Sequence, residues 1–150
     1  MKWSARDLRT ALAVQAIERA RRTGAEARLR DAHQEEEQAR SDRERADAAL
    51  KDSTKNWSAH LRSGHFDLAL CQALAGAIIA QERAVEAASR GQTETEALVE
   101  RRSNEWRDLN AGVRSGEAML SRGRRSISRR SEENRTREIA ESTTWKWFER

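Results

Sequence analysis

In the second half of the chain an apolar side chain returns every seventh residue: Ile78, Val85, Val99, Trp106, Val113, Leu120 and Ile127, with Gln92 as the one break. That interval marks a helix burying a narrow stripe against another helix, because about 3.5 residues per turn keeps the stripe facing its partner. The interleaved positions, Leu74, Gln81, Ala88, Thr95, Arg102, Leu109, Gly116 and Gly123, are mixed, which predicts a seam firm along one line and loose along the other. From Ile78 to Ile127 such a helix is on the order of 75 Å long. The first half carries a thinner version. Ala25, Ala32, Ala39 and Ala46 form one line, and Leu29, Glu36, Arg43, Leu50 and Trp57 the other, with the alanines suited to close helix contact.

Between the two runs lies Arg62-Ser63-Gly64-His65-Phe66-Asp67, where turn-forming residues gather and Gly64 suits the left-handed conformation that ends many helices. The expected fold is all-α, a single domain over residues 1–150. Two long helices, about 4–61 and about 67–147, are joined by a turn at about 62–66 and folded as an antiparallel coiled-coil hairpin. With the turn centred near Gly64, residue i faces residue 128 minus i. Ala46 and Leu50 then lie opposite the region from Ile78 to Glu82, and Leu29 lies near Val99. The first helix runs out opposite Arg124, so the second continues as an overhanging C-terminal helix from Arg125 to Arg150. That overhang ends in Trp145, Trp147 and Phe148, aromatics with no partner in the hairpin.

Composition sharpens this picture. Hydrophobic residues make up 37% and charged residues 36%, with two Phe and no Tyr, too little apolar volume for a thick globular core. Pro is absent, and Ala, Arg and Glu predominate, which favours long helices and excludes strands. The apolar stretch Leu68 to Ala80, interrupted by Gln72, is shorter than the roughly 20 residues of a membrane span and reads as buried helix. The N-terminus places charges around a short Ala-Leu-Ala-Val segment, unlike a secretory signal, and the single Cys71 suits a reducing compartment.

The chemistry readable in the chain is that of binding. A two-helix rod offers no water-shielded concavity in which titratable groups converge, so no enzymatic activity, catalytic residue or cofactor is expected. His33, His60 and His65 lack the spacing of a ligand pair on a helix, and no glycine-rich phosphate loop occurs. The basic cluster Arg122, Arg124, Arg125, Arg129, Arg130, Arg135 and Arg137 is the strongest electrostatic feature, suited to phosphates or an acidic protein surface. Glu132, Glu133 and Glu138 interrupt it and no reading-helix signature accompanies it, so the cluster reads either as a solvated charged face or as the seat of a protein partner, ahead of nucleic acid. Near the turn, Phe66, Leu70, Ala73 and Ala77 share one helical face while Leu74 and Ile78 begin the seam on another; two faces call for two partners, and the first is met either by Trp57 and Leu61 packing across the turn on Phe66 and Leu70 or by another protein.

The chain resembles the FliJ and YscO family, the coiled-coil stalk proteins of bacterial flagellar and virulence type III export machines. The distinctive stretch is Trp57-Ser-Ala-His-Leu-Arg-Ser-Gly-His-Phe66-Asp-Leu-Ala-Leu70, which is similar to the family's Trp, short turn and Phe-x-x-x-Leu at the start of the second helix. The resemblance implies a cytoplasmic protein at the inner face of the bacterial inner membrane, associated with the membrane only peripherally. It would bind the hexameric secretion ATPase and couple it to the membrane export gate, with export chaperones as further partners. Arg124, Arg125, Arg129 and Arg130 would face the ATPase, and Phe66, Leu70, Ala73 and Ala77 the gate. The alternatives are a generic coiled-coil scaffold or chaperone, which predicts self-association along the seam, and a basic-helix nucleic-acid binder, whose affinity would fall steeply with salt.

Overall fold

The computed structural model of the chain describes residues 3–64 and 67–148, the last seven by backbone alone. Two helices account for nearly all of it: α1, Ala5–Arg62, and α2, Leu68–Phe148, which pack against each other, with no strand among the described residues. Local chemistry sets three of the four ends. At the start of α1, the Asp7 N–H donates to Ser4 Oγ at 3.1 Å, while Asp7 Oδ2 accepts from the Ser4 N–H at 2.9 Å and from its hydroxyl at 2.7 Å. This reciprocal box satisfies backbone donors that lie too early for an intrahelical partner. At the end of α1, the Ser63 N–H donates to the His60 carbonyl and Gly64 turns the chain out at φ 73°, a left-handed conformation that a Cβ would strain. Asp67 then opens α2, its Oδ1 accepting from the N–H groups of Ala69 and Leu70 at 2.9 and 3.3 Å.

The chain divides into two compact units, one formed by residues 1–25 with 106–150 and the other by residues 26–105. In the second unit, every residue of the alternating three-and-four series on α2, from Cys71 through Leu74 and Ile78 to Arg102, is buried or half-buried. On α1 the matching series runs from Leu29 and Ala32 to Trp57 and His60, with Arg43 alone in it exposed. Ala32 is 2% exposed, so its small side chain brings the helices close. Polar pairs cross between the helices: Arg28 Nη2 donates to Glu105 Oε1 at 2.6 Å, and Arg43 Nη1 to Gln92 Oε1 at 2.9 Å. These two pairs lie five to seven residues beyond the register of 128 minus i, within the reach of arginine side chains one to two turns long.

In the first unit the series on α2 continues through Trp106, Leu109, Val113, Gly116, Leu120, Gly123 and Ile127, all buried or half-buried. On α1 it runs back from Ala25 through Arg22, Glu18, Gln15 and Ala11 to Leu8, so the stripe starts well before the first alanine line. Two of the three glycines of this stretch are places of tight packing. The Gln15 side chain presses on Gly116, and the Trp3 ring lies over Gly123, where a Cβ would come within 2.7 Å of it. Gly112, by contrast, has nothing within 4 Å of a Cβ. Gln15 is 5% exposed, and its Nε2 donates to the Val113 carbonyl at 2.8 Å. The supposedly loose line of the seam is therefore closed by large residues from α1.

One expectation is corrected. The stretch Leu68 to Ala80 is mostly uncovered: Cys71 alone in it is buried, Leu74, Ala75 and Ile78 are half-buried, and the other nine are exposed. A single partner helix covers one stripe, and this stretch is apolar on all sides.

Candidate functional site

Three surfaces remain once the seam is accounted for. The first is the arginine face on α2. From Ala118 to Ser131 the sequence holds five arginines and no acidic residue, so this stretch alone carries more positive charge than the chain's net +4. Arg122, Arg125, Arg129 and Arg130 border a shallow depression together with Ser126 and Glu133. Arg124 instead borders a second depression with Leu12, Arg19 and Glu117, which Arg125 also borders. All five arginines are exposed, and among the described residues none forms a salt bridge. Arg122 Nε and Arg125 Nε donate to carbonyls of their own helix, of Ala118 and Ser121, at 3.4 Å. Of the four residues expected to meet an ATPase, Arg125, Arg129 and Arg130 thus share one depression, while Arg124 borders only the second, which Arg125 joins. Arg122, which joins them, was grouped with the cluster but not among those four. From Ser128 to Glu141 every residue is exposed. Trp145, Trp147 and Phe148 have side chains outside the described residues.

The second surface is the start of α2. Leu70, Ala73 and Ala77 are all exposed, off the buried series, Leu70 at 44%. Phe66, the fourth member of that face, lies outside the described residues. Three apolar groups outside that face, Leu68 at 61% and Ile79 at 50% on α2 and Leu61 at 54% at the end of α1, are more exposed still. The signal of Leu68 and Ile79 was in the sequence as hydropathy sustained over the start of α2, which periodicity alone discounts; Leu61, between His60 and Arg62, carried no such signal.

The third is a groove of about 370 Å³ in the first unit, lined mainly by Trp3, Ala11, Val14, Gln15, Met119 and Leu120, with Arg6 and Asp7 also bordering it. Asp7 belongs to the cap of α1, and the hydrogen bonds from the Ser4 hydroxyl and N–H hold its carboxyl below the usual carboxylate range. In the second unit Glu105 is held low in the same sense, first by the hydrogen bond from Arg102 and then by that from Arg28. Both carboxylates are structural anchors of helix ends or helix pairs.

Among the described residues no group of three or more His, Cys, Asp or Glu side chains could hold a metal ion. What the arrangement offers is contact: a charge-dense helical face, an uncovered apolar helix start and a shallow apolar groove. The seam residues Ile78, Val85, Val99, Trp106, Val113, Leu120 and Ile127 are engaged between helices, and Val113 and Leu120 are the most enclosed, at 1% and 7% exposure. Comparison with known protein families, with curated proteins and with solved structures finds no match to this chain.

Proposed function

We propose that the chain is a non-enzymatic stalk of a type III secretion system, an antiparallel coiled-coil hairpin whose overhanging C-terminal helix engages the hexameric secretion ATPase. The observation that carries this reading is the arginine-rich stretch, five exposed cations without an ion-pair partner among the described residues, four of them bordering one depression with Glu133 as its single acidic member, on a helix exposed throughout from Ser128 to Glu141. A stretch of that charge density meets an acidic surface favourably and steers the encounter. The resemblance around Trp57 and the turn supplies the identity of the partners: the ATPase at the arginine end, the export gate at the turn end through Phe66, Leu70, Ala73 and Ala77, and export chaperones as escorted partners. The chain works at the cytoplasmic face of the bacterial inner membrane. An asymmetric rod in a six-fold pore stimulates turnover by contacting the ring's subunits unequally, which shifts their conformational equilibria.

The order of contacts along the helices supports the antiparallel arrangement. Within the second unit, the partner number falls from Glu105 to Gln92 as the α1 number rises from Arg28 to Arg43.

The test is light scattering of the purified chain alone and mixed with the cognate secretion ATPase, with ATP turnover followed in parallel. A monomer that joins the hexamer and raises its turnover, and an Arg124→Glu, Arg125→Glu, Arg129→Glu, Arg130→Glu variant that does neither, are the expected results. A stable homodimer or tetramer indifferent to the ATPase defeats the stalk reading and leaves a coiled-coil scaffold.

A further inference from the structure

From Leu68 through Gln81 the chain carries no charged side chain, in a protein of which 36% is charged. An 18-residue window within Leu68–Glu141 reaches a mean hydropathy of 1.2, against −0.97 for the whole chain, and 6% of that window is buried. Two ordinary reasons for such a window are absent. A core helix would be covered, and this one is not; a targeting segment would lie at the N-terminus, and this one follows a helix of 58 residues.

The exposed apolar groups also point in several directions. At about 100° per residue, Leu68 and Ile79 flank the seam on one side, Leu70 and Ala77 flank it on the other, and Ala69 and Ala80 lie behind. A partner helix covers one stripe, whereas a surface that is apolar over the rest of the cylinder suits a solvent that makes no directional demand. Backbone polarity is no obstacle, because the segment is helical and its donors and acceptors are paired. On the neighbouring end of α1, Lys51, Lys55 and Arg62 are exposed and outnumber the exposed Asp52 and Asp67 of the same end, which leaves a net cationic rim by the apolar surface. An anionic headgroup layer complements that net charge.

We infer that this end of the second unit docks on an anionic lipid bilayer, with the first turns of α2 lying in the interface and Lys51, Lys55 and Arg62 among the headgroups. The uncharged segment is on the order of 20 Å long, short of the roughly 30 Å hydrocarbon layer, so it embeds in one leaflet and does not cross. The inference rests on the exposure of α2 and not on the stalk reading. Pure lipid contains neither ATPase nor export gate, and the two succeed or fail separately.

The experiment is flotation of the full chain with vesicles of phosphatidylcholine containing phosphatidylglycerol, and with phosphatidylcholine alone. The wild type is expected to float with the anionic vesicles and much less with the neutral ones. Leu68→Glu with Ile79→Glu is expected to lower partitioning roughly tenfold for each residue, at unchanged helicity by circular dichroism, since neither side chain lies in the seam. Lys51→Glu, Lys55→Glu and Arg62→Glu are expected to remove the preference for anionic lipid, roughly fivefold for each. No flotation by the wild type overturns the inference. So does binding that survives the Leu68 and Ile79 changes but is lost when Arg122, Arg125, Arg129 and Arg130 are reversed, which would assign lipid affinity to the arginine face. A concentration-dependent dimer in light scattering, dissolved by the same Leu68 and Ile79 changes, would identify a second copy as the cover and overturn it equally.

Discussion

Gly112 and Gly116 lie one turn apart on α2, and replacing each with alanine should change stability in opposite directions. In a helix interior the exchange gains about 1 kcal/mol, because glycine loses more backbone freedom on folding than alanine. At Gly112 nothing lies within 4 Å of the new methyl group, so Gly112→Ala should realise that gain. At Gly116 the methyl would occupy the space of the Gln15 amide, which is 5% exposed and donates to the Val113 carbonyl at 2.8 Å. Displacing that amide leaves buried polar groups without partners, a loss of about 1–3 kcal/mol that cancels or outweighs the propensity gain. Gly116→Ala should therefore be neutral to destabilising by about 2 kcal/mol, the balance of those two effects. Urea unfolding followed by far-ultraviolet circular dichroism measures both variants and a third, Gly116→Ala with Gln15→Ala. In the third the obstacle is gone, and Gly116→Ala should regain its gain of about 1 kcal/mol relative to Gln15→Ala alone, a coupling that a double-mutant cycle isolates. If Gly116→Ala stabilises as much as Gly112→Ala, with no coupling to Gln15, the packing described for this part of the seam is wrong.

Glu105 is held below the ordinary carboxylate range by Arg102 and Arg28, so its contribution to stability is present above its unfolded value and is lost as pH falls through its folded value. Thermal melts should place Glu105→Gln below wild type at neutral pH, with the gap closing in acid and shrinking with added salt. Ala32, at 2% exposure between the helices, has no room for growth, and Ala32→Leu should cost about 1–3 kcal/mol in the same urea titration, whereas Ala48→Leu, at an exposed position, should be close to neutral. Ser4→Ala removes the acceptor of the Asp7 N–H and the donor to its carboxylate, and should cost about 1 kcal/mol by urea unfolding, with amide exchange faster in the first turn of α1 than elsewhere.

What the sequence disclosed was whatever local rules control. The absence of Pro, the weight of Ala, Arg and Glu, and the Gly64 and Asp67 pair suffice to predict two helices and a turn, because capping and propensity act within a few residues. The heptad line on α2 was legible for a similar reason, since a strict seven-residue return has one common structural meaning. The continuation of the α1 stripe through Gln15, Glu18 and Arg22 was not, because polar residues in a seam are invisible to a search for apolar ones. Gly116 and Gly123 make the interleaved line look loose because the side chains that fill them, Gln15 and Trp3, lie a hundred residues or more away in the chain. No local rule predicts that meeting.

The misreading of Leu68 to Ala80 has a different source, and it bears on function. Hydropathy measures how strongly a segment prefers to leave water, and periodicity measures how many sides it presents; neither says whether the fold holds enough partner surface to cover it. A helix with one neighbour can cover one stripe, so apolar residues beyond that stripe stay exposed unless something outside the chain covers them. The chain's sparse apolar content argues against a globular core, and the same scarcity makes an uncovered apolar helix start stand out. In a protein with abundant hydrophobic surface, Leu68 and Ile79 at 61% and 50% exposure would need no explanation. Here, beside 36% charged residues and next to Lys51, Lys55 and Arg62, they mark the turn end as a surface shaped for contact, just as the unpaired arginines from Arg122 to Arg130 mark the other unit. One surface offers apolar area with a cationic rim and the other cationic density alone. Salt should therefore weaken binding at the arginine face steeply and binding at the turn end only partly, and the salt dependence of each separates two contacts that a single binding assay would merge.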